Sequence, residues 1–217
     1  MMERNTVLTV YTPQQKLRHV IYVAMFCTIQ IVLMLTPLGF VPIGPVAATT
    51  LHLPVITAGV LLGKKAGMTL GLLFGLISVT RATLNPSLTS FLFSPFAPSV
   101  AGVSGNVFSL VIAIVPRVLL GYLAALLYEL LVKHRVTKPL APGIAALIAT
   151  LCHTILVLGG IALFFGDAYV NAVGVEGSLL VFLGTIILTN GIVEALLAVF
   201  VVSALIRALA PLVSKNA

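Results

Sequence analysis

Residues 105–132 read GNVFSLVIAIVPRVLLGYLAALLYELLV, and residues 140–165 read LAPGIAALIATLCHTILVLGGIALFF. Each stretch is longer than the ~20 mostly apolar residues that a helix needs to cross a bilayer. Only KHRVTKP separates them, so the chain turns back at once and the two helices run antiparallel. These two stretches predict an all-α integral membrane protein that crosses the bilayer several times.

The rest of the chain has the same character. Of its 217 residues, 60% are apolar and 8% are charged, and the mean hydropathy is +1.20. A soluble domain carries about 25% charged residues. Further apolar segments cover about 19–36, 46–63, 66–81 and 178–210. We therefore expect a single bundle of six transmembrane helices, in which residues 1–217 form one membrane domain without a separate soluble domain.

The positive charges orient this bundle. Ten of the twelve Lys and Arg residues precede the first span, follow the second or fourth span, or lie near the C-terminus. Basic loops stay in the cytoplasm, so both termini are predicted to be cytoplasmic, with residues 1–18 as a cytoplasmic segment. This placement accounts for the net charge of +7 without nucleic-acid binding. No small-residue cleavage site follows the first apolar run, which argues against a cleaved signal peptide.

Three loops then face the outside, at 37–45, 82–104 and 166–177. They are rich in Pro, Gly, Asn and Ser, and the longest alternates phenylalanines with turn-forming residues. Long loops without secondary structure of their own are usually functional or disordered. The 82–104 loop is therefore predicted to be either a lid over a ligand or a packed connection.

Four polar residues interrupt the later spans: Arg117, His153, Asn190 and Glu194. An ionisable side chain at the centre of the bilayer costs ~2.5–3.5 kcal/mol on the insertion scale, so each is a candidate for function. A rise of 1.5 Å per residue puts them at similar depths, and Asn190 and Glu194 share a helix face. We expect them around a cavity open to the outside. Two structural alternatives are an internal Arg117–Glu194 ion pair and a purely packing role for His153.

Glycines recur every four residues at the end of the second span and along the third. Gly67, Gly71 and Gly75 share one helix face, where the missing side chains allow another backbone to approach closely. This pattern predicts either internal packing or a docking face for another membrane protein.

Motifs for catalysis are scarce. The string GVLLGKKAG lacks the spacing of a phosphate-binding loop, so the chain is not expected to hydrolyse ATP. Cys27 and Cys152 lie in apolar stretches without a metal-binding or disulfide pattern. The string GVSG at 102–105 matches intramembrane serine proteases, with Ser104 as nucleophile and His153 as base. The predicted depths separate those two residues by more than the ~2.6–3.2 Å that such a pair needs.

Three strings carry a family resemblance: TPLGFVPIGPVAATTLHLPVITAGVLLG at 36–63, GLLFGLISV at 71–79 and NPSLTSFLFSPF at 85–96. Together with the six spans and inside termini, they resemble the S components of energy-coupling factor (ECF) vitamin transporters. The pattern is most similar to the pantothenate type, and riboflavin-type components come next.

The resemblance implies a substrate-binding membrane subunit rather than an enzyme, without a cofactor of its own. It would capture a vitamin outside the cell membrane and dock on a transmembrane T component that carries two ATPase subunits, where ATP is used. The family docks through an A-x-x-x-A pattern in the first span, which Ala24 and Thr28 match here as a small-residue variant. We add the face of Gly67, Gly71 and Gly75 as a further docking candidate.

We expect the vitamin between spans four to six, under the three outer loops. Pantothenate offers a carboxylate, an amide and two hydroxyls; Arg117 is the first candidate for the carboxylate and Arg81 the second. Riboflavin would instead need aromatic walls, which the phenylalanines of the 82–104 loop could form. The predicted substrate-binding residues are Phe40, His52, Arg81, Asn85, Phe93, Phe96, Asn106, Arg117, His153, Asn190 and Glu194.

Overall fold

The computed structural model of the chain describes residues 12–43, 46–100, 102–174 and 178–214, and only the backbone of 40–43, 46–48, 213 and 214. It is an all-α bundle with one short β-hairpin, which confirms the predicted fold class. The helices are α1 (Pro13–Leu35), α2 (His52–Leu62), α3 (Lys64–Leu84), α4 (Val107–Lys133), α5 (Ala141–Val173), α6 (Leu179–Ile186) and α7 (Ile192–Ser214).

Five of the six predicted spans are long and apolar enough to cross a membrane, with α6 and α7 counted as one. Local chemistry sets their ends. Thr12 and Gln15 cap the start of α1 reciprocally, each side chain accepting from the other's backbone N–H, and Pro37 follows its last turn. Asn85 ends α3 directly before Pro86, since a residue before proline avoids helical geometry.

The predicted second span, 46–63, was wrong in its first part. Residues Phe40–Ile43 (β1) and Val46–Thr49 (β2) pair as an antiparallel hairpin, and α2 begins only at His52. With 11 residues, α2 is roughly 16 Å long, about half of the ~30 Å hydrocarbon core. Gly63 then turns the chain into α3 at φ 91°, a backbone conformation that side chains disfavour. The second crossing is thus a hairpin followed by a buried half-length helix.

Two predicted loops are shorter than expected. Helix α5 continues past residue 165 to Val173, bending where Phe165 leaves helical geometry, and Gly174 ends it at φ 70°. Helix α3 continues to Leu84, so the outer connection begins at Asn85; it contains a short 3-10 turn at Ser90–Leu92. The turn-forming residues of 166–173 therefore lie on a helix.

The last span is interrupted. A π-helical turn, Ile187–Gly191, joins α6 to α7. Such turns insert an extra residue into a helix and are frequent at functional sites. Asn190 lies in this turn and Glu194 follows it on the first turn of α7.

The face of α3 that carries Gly67, Gly71 and Gly75 packs inside the bundle, so the prediction that this face docks a partner protein was wrong. A Cβ on Gly67 would meet the carbonyl of Gly121, one on Gly71 the carbonyl of Arg117, and one on Gly75 the carbonyl of Ala113 at 2.9 Å. These three glycines therefore pack α3 against α4 and offer no surface to a partner protein. Ala24 and Thr28 are exposed on α1, and their docking role stays a prediction.

Candidate functional site

A cavity of about 570 Å³ lies at the end of the bundle predicted to face outside. Helices α3, α4, α5 and α7 form its walls with the π-helical turn, and the connection after α3 and Thr49 of the hairpin close it. Its volume falls within the roughly 300–1,000 Å³ of small-molecule sites. The structure places seven of the eleven predicted binding residues on its wall: Arg81, Asn85, Phe93, Arg117, His153, Asn190 and Glu194. Their contact with a ligand stays a prediction.

Helix α3 contributes one continuous stripe to the cavity. Phe74, Ser78, Arg81 and Asn85 line it, and their spacing of four, three and four residues keeps them on one helix face. We had predicted Arg81 and Asn85 but not Phe74 or Ser78. The signal was present in the sequence, because a serine inside an apolar span shares a face with an arginine and an asparagine.

Arg117 is held at the buried end of the cavity by three neighbours. Its side chain is 6% exposed, and its Nη1 donates to the backbone carbonyl of Ile112. The guanidinium carbon lies 5.4 Å from the ring centroid of Phe74 and 5.1 Å from that of Phe93. A cation over an aromatic face within about 6 Å is attracted by the ring quadrupole. The positive charge is therefore fixed in place, and no acidic side chain among the described residues contacts it.

Glu194 has a different partner from the one considered in the sequence. Its Oε1 accepts a hydrogen bond of 2.7 Å from the backbone N–H of Thr49, which links α7 to the end of the hairpin. Within the described part of the chain, no ion pair joins Glu194 to Arg117; the ion pair present is Lys64–Glu129, at the opposite end of α3. Arg117 nevertheless lies within electrostatic range of Glu194. Arg117 and Glu194 therefore place a cation and an anion on the cavity wall that are not in contact with each other.

His153 and Asn190 complete the polar wall. The His153 ring centroid lies 6.1 Å from that of Phe74, and its Nε2 is buried without a hydrogen-bond partner among the described residues. Asn190 accepts a hydrogen bond of 3.0 Å from the Thr189 hydroxyl. A buried polar atom without a partner is costly, so His153 Nε2 is a group that a ligand or water can satisfy.

Four predicted site residues are not on the cavity wall. His52 is 2% exposed and lies in the core at the start of α2, while Phe96 is 69% exposed on the surface. Asn106 caps α4, accepting from the backbone N–H of Phe108 at 2.8 Å, so its side chain is committed to the helix end. The side chain of Phe40 lies outside the described residues. Against expectation, His52, Phe96 and Asn106 therefore lie off the cavity wall, and their contact with a ligand stays a prediction.

Sequence reasoning also missed several wall residues. Thr49, Thr154 and Tyr169 line the cavity. Thr49 was missed because its segment was predicted to be part of a span, whereas it ends a strand. Tyr169 was missed because its segment was predicted to be a loop, whereas it lies in the last turns of α5. Thr154 follows His153 directly, and its hydroxyl satisfies its own helix by donating to the Thr150 carbonyl, as many threonines in membrane helices do.

The structure does not assemble the protease pair. Ser104 is exposed in the loop before α4 and is absent from the cavity wall, whereas His153 is buried within it. His153 Nε2 has no hydrogen-bond partner among the described residues, Ser104 included. The nucleophile and base that this chemistry requires are therefore not in contact.

Comparison with known proteins agrees with the resemblance seen in the sequence. A family model described as the substrate-specific component of ECF transporters matches residues 18–206. The pantothenic acid transporter PanT of Lactococcus lactis subsp. cremoris (strain MG1363) is 41% identical over 165 residues, which cover 76% of this chain and 79% of that protein.

A solved structure extends the agreement to the fold. The crystal structure of the S component for biotin from an ECF-type ABC transporter superposes with a TM-score of 0.50 at 20% sequence identity. The match covers 91% of this chain and 95% of that chain, and at this identity it bears on the fold alone. With the family model matching nearly the whole length and a relative at 41% identity, the chain belongs to the substrate-specific components of ECF transporters.

Proposed function

We propose that this chain is the pantothenate-binding S component of an ECF-type importer. The observation that carries the proposal is the buried guanidinium of Arg117, fixed on the cavity wall with no acidic side chain of the described residues in contact with it. A buried cation of this kind is costly unless a partner neutralises it, and an acidic ligand is such a partner. The likeness to a pantothenic acid transporter supports this choice of acid.

The other polar groups on the cavity wall suit the end of pantothenate that lies away from its carboxylate. Pantothenate carries its two hydroxyls and its amide away from the carboxylate. Glu194 and Asn190 lie on the wall with Ser78 and Thr154, and these side chains supply acceptors and donors for such groups. Glu194 also disfavours a second negative charge in the cavity. A monoacid with a hydroxylated tail satisfies both ends of this site.

The aromatic side chains argue against a flavin as substrate. An isoalloxazine ring would need free aromatic faces for stacking. The faces of Phe74 and Phe93 nearest the cavity's charged end are instead covered by the guanidinium of Arg117. We therefore favour pantothenate over riboflavin.

The proposal includes the partners implied by the family. The chain would sit in the plasma membrane, bind its vitamin from the outside without a cofactor or catalysis, and rely on a T component and two ATPase subunits for ATP-driven delivery. Exposed Ala24 and Thr28 on α1 are the docking candidates. The Thr28 hydroxyl donates to the Ala24 carbonyl at 2.9 Å. Its hydrogen bond is therefore made within α1, and the hydroxyl needs no donor or acceptor from a partner protein.

Titration of the purified full-length chain tests the proposal. The detergent-extracted protein is titrated with pantothenate, riboflavin and biotin by calorimetry, and its ATPase activity is measured in parallel. We expect saturable binding of pantothenate, at least about tenfold tighter than the other two, and no ATP hydrolysis. Tighter binding of riboflavin or biotin would contradict the assignment, and ATPase activity of the single chain would contradict the role.

A further inference from the structure

Arg117 is preceded by a proline inside α4, and we infer that Pro116 is the positioning residue for the Arg117 guanidinium. Proline has no backbone N–H, so it cannot donate to the carbonyl four residues earlier. That carbonyl belongs to Ile112, and it is the group that accepts from Arg117 Nη1. The side chain of Arg117 thus takes the place of the missing helix hydrogen bond.

The environment makes this replacement favourable. Pro116, Arg117 and Ile112 are all buried, and an unpaired carbonyl in the membrane interior costs several kcal/mol. A charged donor supplies a stronger bond than a neutral amide. The proline therefore creates a fixed acceptor whose only described side-chain donor is the neighbouring arginine.

The direction of the bond matters for the cavity. Side chains on a helix lean towards its N-terminus, and the N-terminus of α4 lies at the cavity end. The side chain of Arg117 reaches back to the carbonyl of Ile112. This bond directs the guanidinium towards the cavity, where it lies close to the rings of Phe74 and Phe93. Without the acceptor, those two rings alone would hold it.

Replacing Pro116 by alanine should loosen this arrangement without unfolding the helix. Alanine restores the backbone N–H, which then competes with Arg117 for the Ile112 carbonyl. Because a carbonyl has two lone pairs, the side-chain bond is weakened rather than abolished. A net hydrogen bond contributes about 0.5–1.5 kcal/mol, so we expect roughly a three- to tenfold change in whatever Arg117 recognises.

The test rests on the proposed function, since it uses pantothenate as the acid and its alcohol analogue, pantothenol, as the matched neutral ligand. Pro116→Ala should weaken pantothenate binding about three- to tenfold and leave pantothenol binding unchanged. Pro211→Ala, at a proline inside α7 and away from the cavity, is the control and should change neither. In an Arg117→Gln background, Pro116→Ala should have no further effect on pantothenate.

A merely structural role for Pro116 predicts other results. Equal weakening of both ligands, or additional weakening in the Arg117→Gln background, would overturn the inference. If the wild-type chain binds neither ligand, the proposed function fails. The positioning role of Pro116 is then tested by a measurement that needs no ligand. Solvent exchange of the Arg117 guanidinium protons, followed by ¹⁵N NMR, should be several-fold faster in Pro116→Ala than in wild type; unchanged exchange would contradict the positioning role.

Discussion

The two ends of the bundle are built on different principles. At the basic end, α2, α3 and α4 meet backbone to backbone: a Cβ on Gly59 would lie 2.8 Å from the Gly121 carbonyl, and Gly67 and Gly121 press against each other. At the other end α3 and α4, together with α5 and α7, line a cavity of about 570 Å³. Small residues at one end and polar ones at the other therefore divide the bundle into a closed part and a binding part.

The change occurs along a single face of α3. Gly67 and Gly71 contact α4 directly, Gly75 contacts it at the edge of the cavity, and Ser78 already lines the cavity. Two apolar clusters follow the same division, one centred on α2 and one on Phe91, Ile112 and Phe165. The comparison teaches that one face of α3 serves two purposes: its glycines pack against the α4 backbone, and the polar residues that follow line the cavity.

The largest effect is expected at the closed end. Gly71→Leu would drive a side chain into the backbone of Arg117, and relief requires α3 and α4 to separate. Overpacking a core usually costs 1–3 kcal/mol, and a backbone collision leaves less room to relax. We expect the variant to lose its monodisperse elution in detergent and to bind no ligand.

Gly159→Leu is the matched control for that substitution. Nothing lies within 4 Å of a Cβ at Gly159 on α5, so this variant should elute and bind like wild type. A Gly71→Leu protein that folds and binds its ligand normally would show that the glycine seam is not a tight contact.

The same leucine, placed two turns along α3, should have a different effect. Ser78 is seven residues after Gly71 on the same helix face and lines the cavity. Ser78→Leu fills space that a ligand would occupy. The serine hydroxyl that it removes donates within α3 to the Phe74 carbonyl, its one hydrogen bond among the described residues. We expect normal elution and thermal stability but at least about a hundredfold weaker pantothenate binding. Unchanged binding would place the ligand elsewhere.

A smaller effect is expected where the hairpin meets the cavity. Glu194 accepts from the Thr49 N–H through Oε1, and glutamine retains an oxygen that can accept the same bond. Glu194→Gln should therefore keep the hairpin in place, whereas Glu194→Leu should release it and raise the pantothenate dissociation rate about tenfold. Stopped-flow release from both variants measures this. Equally raised rates in both variants would show that the charge of Glu194 matters rather than its acceptor, and wild-type rates in both would show that neither holds the ligand.

Much of the bundle was predictable because the bilayer imposes long apolar segments and separates basic loops from neutral ones. The predictions failed where the backbone departs from plain helices. The strands Phe40–Ile43 and Val46–Thr49 are as apolar as a span, so hydropathy could not separate them from α2. Helix α5 runs through glycine and asparagine to Val173 because packing against α6 outweighs their weak helix propensity.

The site residues, like the helices, could be predicted from the sequence only in part. Arg117, His153, Asn190 and Glu194 stood out because polar residues are conspicuous in hydrocarbon, and all four line the cavity. Asn106 looked equivalent in the sequence, yet its position before a helix makes it a cap. Phe96 belongs to a string rich in phenylalanine, in which Phe91 is buried at the turn Ser90–Leu92 and Phe96 is exposed. Tertiary placement, which spacing alone does not contain, made these distinctions.

The central claim is that Arg117 recognises the carboxylate of the ligand. It is tested most directly by titrating Arg117→Gln with pantothenate and with pantothenol, and Arg81→Gln is the comparison at the rim of the cavity. Both variants are first checked for wild-type elution and thermal stability, since the Ile112 carbonyl loses its side-chain donor in Arg117→Gln.

The account predicts that Arg117→Gln weakens pantothenate binding by about 2 kcal/mol, roughly 30-fold, and changes pantothenol binding by less than about threefold. Arg81→Gln should have the smaller effect on pantothenate, because screening by water weakens charges near the surface. If Arg117→Gln weakens acid and alcohol equally, or weakens neither, then Arg117 serves the structure alone and the claim that it recognises an acid is wrong.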